Sequence, residues 1–152
     1  MNLDVIDKRI VALLQEDAKQ TTKEISNKTD LSVTAVYERI KRLERHGIIK
    51  KYVALVDKNK VEKNFMVLCR IKLEKHSKTY LTTFEKEVKK IDEVLECFNI
   101  TGDYDYLLKI LVKDMDAYRE FMVTKLTTLE HIGSTRSTFV ISSIKNTTSI
   151  TL

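Results

Sequence analysis

The 152-residue chain contains no proline and no tryptophan, only three glycines and only two cysteines. Average usage at this length would give about eight prolines and about eleven glycines. The shortfall excludes collagenous, Gly/Ser-linker and Pro-rich segments. Gly47, Gly102 and Gly133 stand too far apart to make a glycine-rich phosphate loop. Cys69 and Cys97 form no Cys-x-x-Cys unit and read as reduced thiols of a cytoplasmic protein. No apolar run approaches the ~18 residues that span a bilayer. The opening MNLDVIDKRI carries charge from Asp4 onward, unlike a secretory leader. His46, His76 and His131 are scattered without metal-ligand spacing, so no metal site is expected. Asp103 and Asp105 alone fall short of the ligands calcium needs. With no nucleophile elbow and no dinucleotide fingerprint, the chain reads as a non-enzyme without a cofactor.

What is present is a folded composition, 43% hydrophobic and 32% charged, with a net charge of +5. The excess is local. Residues 1–60 hold 13 basic against 9 acidic side chains, and residues 61–152 hold 14 against 13. Arg39, Lys41, Arg42, Arg45, Lys50 and Lys51 crowd one short stretch. A localised basic patch is the electrostatic footprint of a nucleic-acid binder.

The first sixty residues spell three short helices. Leu3, Ile6, Ile10, Leu13 and Leu14 recur at helical spacing over 4–16, with Asp4 as cap and Asp7 in the first turn. Thr21-Thr22-Lys23-Glu24 is a capping box for a second helix anchored by Ile25. Ser32 caps a third, whose stripe is Val36, Ile40 and Leu43 and whose end is Gly47. A tight turn between the second and third makes a helix-turn-helix. The run Ile48 to Val56 reads as a basic strand, a wing and then a connector. With the stripe inward, Thr34, Ala35, Tyr37, Glu38, Lys41, Arg42 and Arg45 face outward. Small and hydrogen-bonding groups then meet base edges, while Arg42, Arg45, Lys50 and Lys51 meet phosphates. Ser32 and Arg39 border that surface, Arg39 also bracing the fold. A helical protein-interaction module is the plainer alternative.

The rest reads β-α-β-β-α-β, a ferredoxin-like split βαβ. Strands are expected at 66–74, 93–100, 105–113 and 135–145, and helices at 79–91 and after Asp114. Gly102 falls in the hairpin turn. That turn suits a small zwitterion: glycine admits close backbone approach, and Asp103 or Asp105 can face an ammonium. The expected loop Gly133-Ser134-Thr135-Arg136-Ser137-Thr138 offers hydroxyls and a guanidinium for a carboxylate. Asp105 can equally be a turn cap. Apolar residues on both sheet faces, such as Ile110 and Val112 against Leu111, call for a partner and hence at least a dimer.

Leu3-Asp4-x-x-Asp7, Leu31-Ser32, Arg39-Ile40-x-x-Leu43-Glu44, Gly47-Ile48-Ile49 and Thr101-Gly102-Asp103-Tyr104-Asp105-Tyr106 together resemble the leucine-responsive regulatory protein/AsnC (feast/famine) family. The resemblance runs through the whole chain. It implies an α+β protein: residues 1–60 bind double-stranded DNA, and residues 61–152 oligomerise and sense an effector, usually an amino acid. It implies dimers that assemble further, commonly into octamers. It places effector binding on Gly102, Asp103, Tyr104, Asp105, Thr135, Ser137 and Thr138. Against this transcriptional regulator stand an architectural DNA-binding oligomer without effector and a ferredoxin-like amino-acid-binding or enzymatic subunit.

Overall fold

The computed structural model describes residues 2–152 and divides into two compact units, Met1–Leu55 with Ile144–Leu152, and Val56–Ser143. The first unit holds α1 (Val5–Glu16), α2 (Thr22–Thr29) and α3 (Val33–Arg45). Each begins at a predicted cap. Asp4 accepts from Asp7 N–H while the Asp7 carboxylate accepts from Asp4 N–H. Thr21 and Glu24 form the second reciprocal box, and Ser32 Oγ accepts from Ala35 N–H. Ile10, Leu13, Ile25, Val36 and Leu43 fill the core between the helices. The α2–α3 turn is made by Asp30 in the left-handed region (φ 55). Gly47 (φ 69) ends α3, and Ile48 N–H returns to Leu43 O at 3.0 Å.

Residues 48–56 correct the expected wing: they form no strand. Their β-rich composition is genuine, but a strand needs a ladder, and no segment among the described residues pairs with them. Tyr52, Val53, Leu55 and Val56 are left exposed.

The second unit is a four-stranded antiparallel sheet in the order β2-β3-β1-β4, with β1 Phe65–Leu73, β2 Val94–Asn99, β3 Tyr106–Val112 and β4 Ile132–Phe139. Helix α4 (Lys78–Val88) joins β1 to β2, and α5 (Met115–Phe121) joins β3 to β4. This is the expected ferredoxin-like interleaving. Helix α5 runs on into a π-helical turn, Met122–Leu126. Val67, Cys69 and Ile71 of β1 and Leu108 and Ile110 of β3 are fully buried beneath Phe84, Val88, Phe121 and Leu126. Their odd-even alternation leaves the other sheet face to Met66, Leu68, Arg70, Leu107, Lys109 and Leu111.

The last strand is shifted from its expected span. It starts at Ile132 and ends at Phe139, with one further bond from Val140 N–H to Met66 O. Gly133 therefore opens no loop. Leu73 pairs with Ile132 and Lys72 with Ser134, so Gly133 is the extra residue of a bulge. A Cβ there would lie 3.3 Å from the Glu74 backbone, a tight contact that glycine avoids.

Candidate functional site

Helix α3 presents its outer face as the sequence suggests. Ser32, Thr34, Tyr37, Glu38, Lys41 and Arg45 are exposed, and Ala35 is half-buried. Lys41 is tied to Glu44 at 2.8 Å and lies 5.7 Å from the Tyr37 ring centre. That Lys41 contact holds the Glu44 carboxyl below its ordinary range, helped by the Tyr52 hydroxyl. Among the described residues, Arg45, Lys50 and Lys51 enter no ion pair and are exposed. They lie on and just beyond the end of α3.

Arg39 and Arg42 are committed elsewhere. Arg39 bonds Asp4 and Asp7, each at 2.7 Å. Arg42 reaches both oxygens of Asp7 at 2.8 Å. Asp7 is 1% exposed, so these guanidiniums neutralise a buried charge and fasten α3 to α1. The Arg39 hydrogen bond also draws the Asp4 carboxyl below its ordinary value. Sequence reasoning anticipated a brace from Arg39 but gave Arg42 to phosphates. A signal was there: Asp7 falls four residues after Leu3 and three before Ile10, on the apolar stripe, where a bare carboxylate needs a cation.

At one end of the sheet, the Gly102 turn folds back on β1. Asp105 N–H donates to Ile71 O at 2.8 Å, and its Oδ2 accepts from Leu73 N–H at 2.7 Å. Asp105 is 6% exposed, and its Oδ1 lies 3.2 Å from His76 Nε2. The turn-cap reading of Asp105 is the one its geometry fits. Gly102 (φ 108) and Asp103 are exposed, and Tyr104 is half-buried. Thr135 pairs with Ile71 from the other side, so turn and β4 stand two strand spacings apart, about 10 Å. Thr135 and Ser137 share the helix-facing side, whereas Thr138, opposite Leu68, points to the other face. Ser137 hydrogen-bonds the Tyr118 hydroxyl beneath α5. Burial pushes the Tyr118 phenol up to about 12. Within one chain, then, the seven effector candidates gather at one end and along one strand without converging on a single cavity. His76 was missed, since nothing in its sequence neighbourhood places it under Asp105.

Among the described residues no three His, Cys, Asp or Glu side chains group as a metal site, and no helix is long and apolar enough to cross a membrane.

A three-helix unit with an exposed basic recognition face, followed by a ferredoxin-like sheet, defines a DNA-binding regulator with an appended sensing domain. Family models agree: residues 3–50 match a winged helix-turn-helix DNA-binding domain and residues 66–150 the Lrp/AsnC ligand binding domain. The chain belongs to the Lrp/AsnC family of transcriptional regulators. It is 36% identical over 144 residues to the leucine-responsive regulatory protein of Escherichia coli strain K12, covering 95% of this chain and 88% of that protein. It is 33% identical to the Bkd operon transcriptional regulator of Pseudomonas aeruginosa, over 93% of both chains. A Neisseria meningitidis transcriptional regulator solved in complex with L-Met superposes with a TM-score of 0.93 at 34% identity, covering 98% and 96% of the two chains. An AsnC family regulator from Agrobacterium tumefaciens gives the same score and identity over 97% and 96%. These relatives are regulators rather than enzymes.

Proposed function

We propose that this regulator reads DNA through Thr34, Ala35, Tyr37, Glu38 and Lys41, with Arg45, Lys50 and Lys51 on the phosphates and Ser32, Arg39 and Arg42 holding the helix in place. Residues 1–60 carry DNA binding, and residues 61–152 carry oligomerisation and sensing. The protein is cytoplasmic and works as a homo-oligomer, at least a dimer. Exposed Leu95, Phe98 and Phe139 support a partnered sheet domain.

The effector is an amino acid bound at the Gly102 end of the sheet. Asp103 is the carboxylate left for its ammonium, since Asp105 already holds the Leu73 amide. Gly102 and Tyr104 shape the turn, while Thr135, Ser137 and Thr138 line the approach from β4. A second copy completes the site, because one chain leaves these residues spread out. The observation that carries this reading is the L-Met complex of a relative that covers 98% of this chain. Thermal-shift measurements across the twenty amino acids test it. A ligand present at 100 times its Kd should stabilise by about 2.7 kcal/mol. No shift at millimolar concentrations would remove the sensing role.

A further inference from the structure

Glu44 closes the motif Arg39-Ile40-x-x-Leu43-Glu44, on a helix whose exposed side suits phosphates, which a carboxylate repels. It follows Lys41 by three residues and Tyr37 by seven, so the three side chains share one stripe of α3. Both carboxylate oxygens of Glu44 are engaged. Oε2 accepts from Lys41 Nζ at 2.8 Å, and Oε1 accepts from the Tyr52 hydroxyl at 3.0 Å. Tyr52 lies beyond Gly47 in the same compact unit, so the carboxylate is held from outside its own helix. Lys41 Nζ in turn lies 5.7 Å from the Tyr37 ring centre. These contacts fix the direction of a lysine, ordinarily among the most mobile of side chains.

The arrangement has consequences for charge and for direction. An ammonium 2.8 Å from a carboxylate presents little net charge at a distance, so Lys41 adds little to the attraction of phosphates. Arg45, Lys50 and Lys51 differ, since among the described residues they enter no ion pair. The ammonium has three N–H donors, of which Glu44 takes one. Two remain for a base edge, and O6 with N7 of guanine is the acceptor pair that suits a lysine. The Glu44 contact holds the Lys41 ammonium above its ordinary range, which keeps it a donor.

We propose that Glu44 is a positioning residue that determines specificity: held by Tyr52, it aims Lys41 at a guanine edge and cancels the charge that would otherwise draw Lys41 to phosphates. This deepens the DNA-reading role of α3 and rests on it.

The test uses the full chain, a duplex that wild type selects from a randomised library, and a random-sequence duplex of equal length. Sequencing of the bound duplexes gives base preference, and fluorescence anisotropy at several salt concentrations gives affinity and salt slope. Lys41→Ala should abolish a guanine preference of about fivefold or more at one position per half-site, with the slope nearly unchanged. Glu44→Gln keeps the size of the side chain and an acceptor for Tyr52 but removes the charge. It should weaken the preference at that same position, tighten binding to the random duplex by about threefold and steepen the slope by up to about 0.9, the effect of one further phosphate contact. Tyr52→Phe should weaken the preference and keep the wild-type slope, because Lys41 and Glu44 stay paired. A Glu44 that only braced the fold would lower stability and both affinities together, leaving preference and slope as they were. That result in Glu44→Gln overturns the proposal, and an unchanged preference in Tyr52→Phe overturns the part given to Tyr52. Wild-type preference and affinity in Lys41→Ala would contradict the recognition face itself. An effect of Lys41→Ala without one of Glu44→Gln overturns the role of Glu44 alone.

Discussion

Arg42 closes on both carboxylate oxygens of Asp7 at 2.8 Å, and Asp7 is 1% exposed. A residue on the recognition helix therefore serves the fold before it serves DNA. Removing one partner of a buried pair typically costs 3–5 kcal/mol. The Arg42 side chain is 40% exposed, so water recovers part of that. Arg42→Ala or Asp7→Ala should destabilise the helical unit by about 2–3 kcal/mol in urea titrations. A loss below about 0.5 kcal/mol would return Arg42 to the set of free phosphate contacts.

Arg45, Lys50 and Lys51 have the opposite signature. Single alanine substitutions there should leave stability within about 0.5 kcal/mol. Each should weaken binding across all sequences and lower the slope of log affinity against log salt by about 1. Thr34→Ala should instead alter preference among operators at nearly constant salt slope. Gel shifts at several salt concentrations separate the two patterns.

Two glycines are favoured for different reasons. At Gly133 an added Cβ meets Glu74 backbone at 3.3 Å, so Gly133→Ala must move the β1–β4 bulge and should cost about 1–3 kcal/mol. Gly47 has open space around it but φ of +69°, so Gly47→Ala should cost about 1–2 kcal/mol through backbone strain alone. Thermal denaturation of the two variants gives the comparison. A neutral Gly133→Ala would show that the Glu74 backbone gives way to a Cβ without cost.

Alkaline pH should loosen the sheet domain. The Tyr118 phenol is raised to about 12, first by burial. Its folded value lies above the unfolded value near 10, so folding favours the protonated form. That contribution is complete below about pH 10 and is lost as pH rises toward 12. Tyr118→Phe should reduce the alkaline loss, read as the change in stability between pH 9 and 11. An unaltered profile would show that other groups govern it.

Most of the architecture was legible because local chemistry and periodicity agreed. Asp4, Thr21 and Ser32 act as caps where their spacing puts them, and Gly47 and Gly102 take positive φ where the chain must turn. What escaped depends on tertiary neighbours. Residues 48–56 have the composition of a strand but no partner in the chain. The start of β4 was hidden because Gly133 resembles a loop residue until the bulge against Glu74 is seen. The commitment of Ser137 to Tyr118 and of Asp105 to the Leu73 amide links residues far apart in sequence, which no local pattern encodes. The same holds for the Gln15 side-chain amide, which accepts from Ile150 N–H at 2.7 Å.

The decisive measurement is operator affinity by fluorescence anisotropy with each of the twenty amino acids at millimolar concentration, for wild type and Asp103→Asn. At least one amino acid should shift wild-type affinity by about 5- to 150-fold, the usual span of a coupling energy of 1–3 kcal/mol. That shift should be lost or greatly reduced in Asp103→Asn while binding to free operator is kept. An operator affinity indifferent to every amino acid, or an equal response in Asp103→Asn, would contradict an amino-acid sensor at the Gly102 turn.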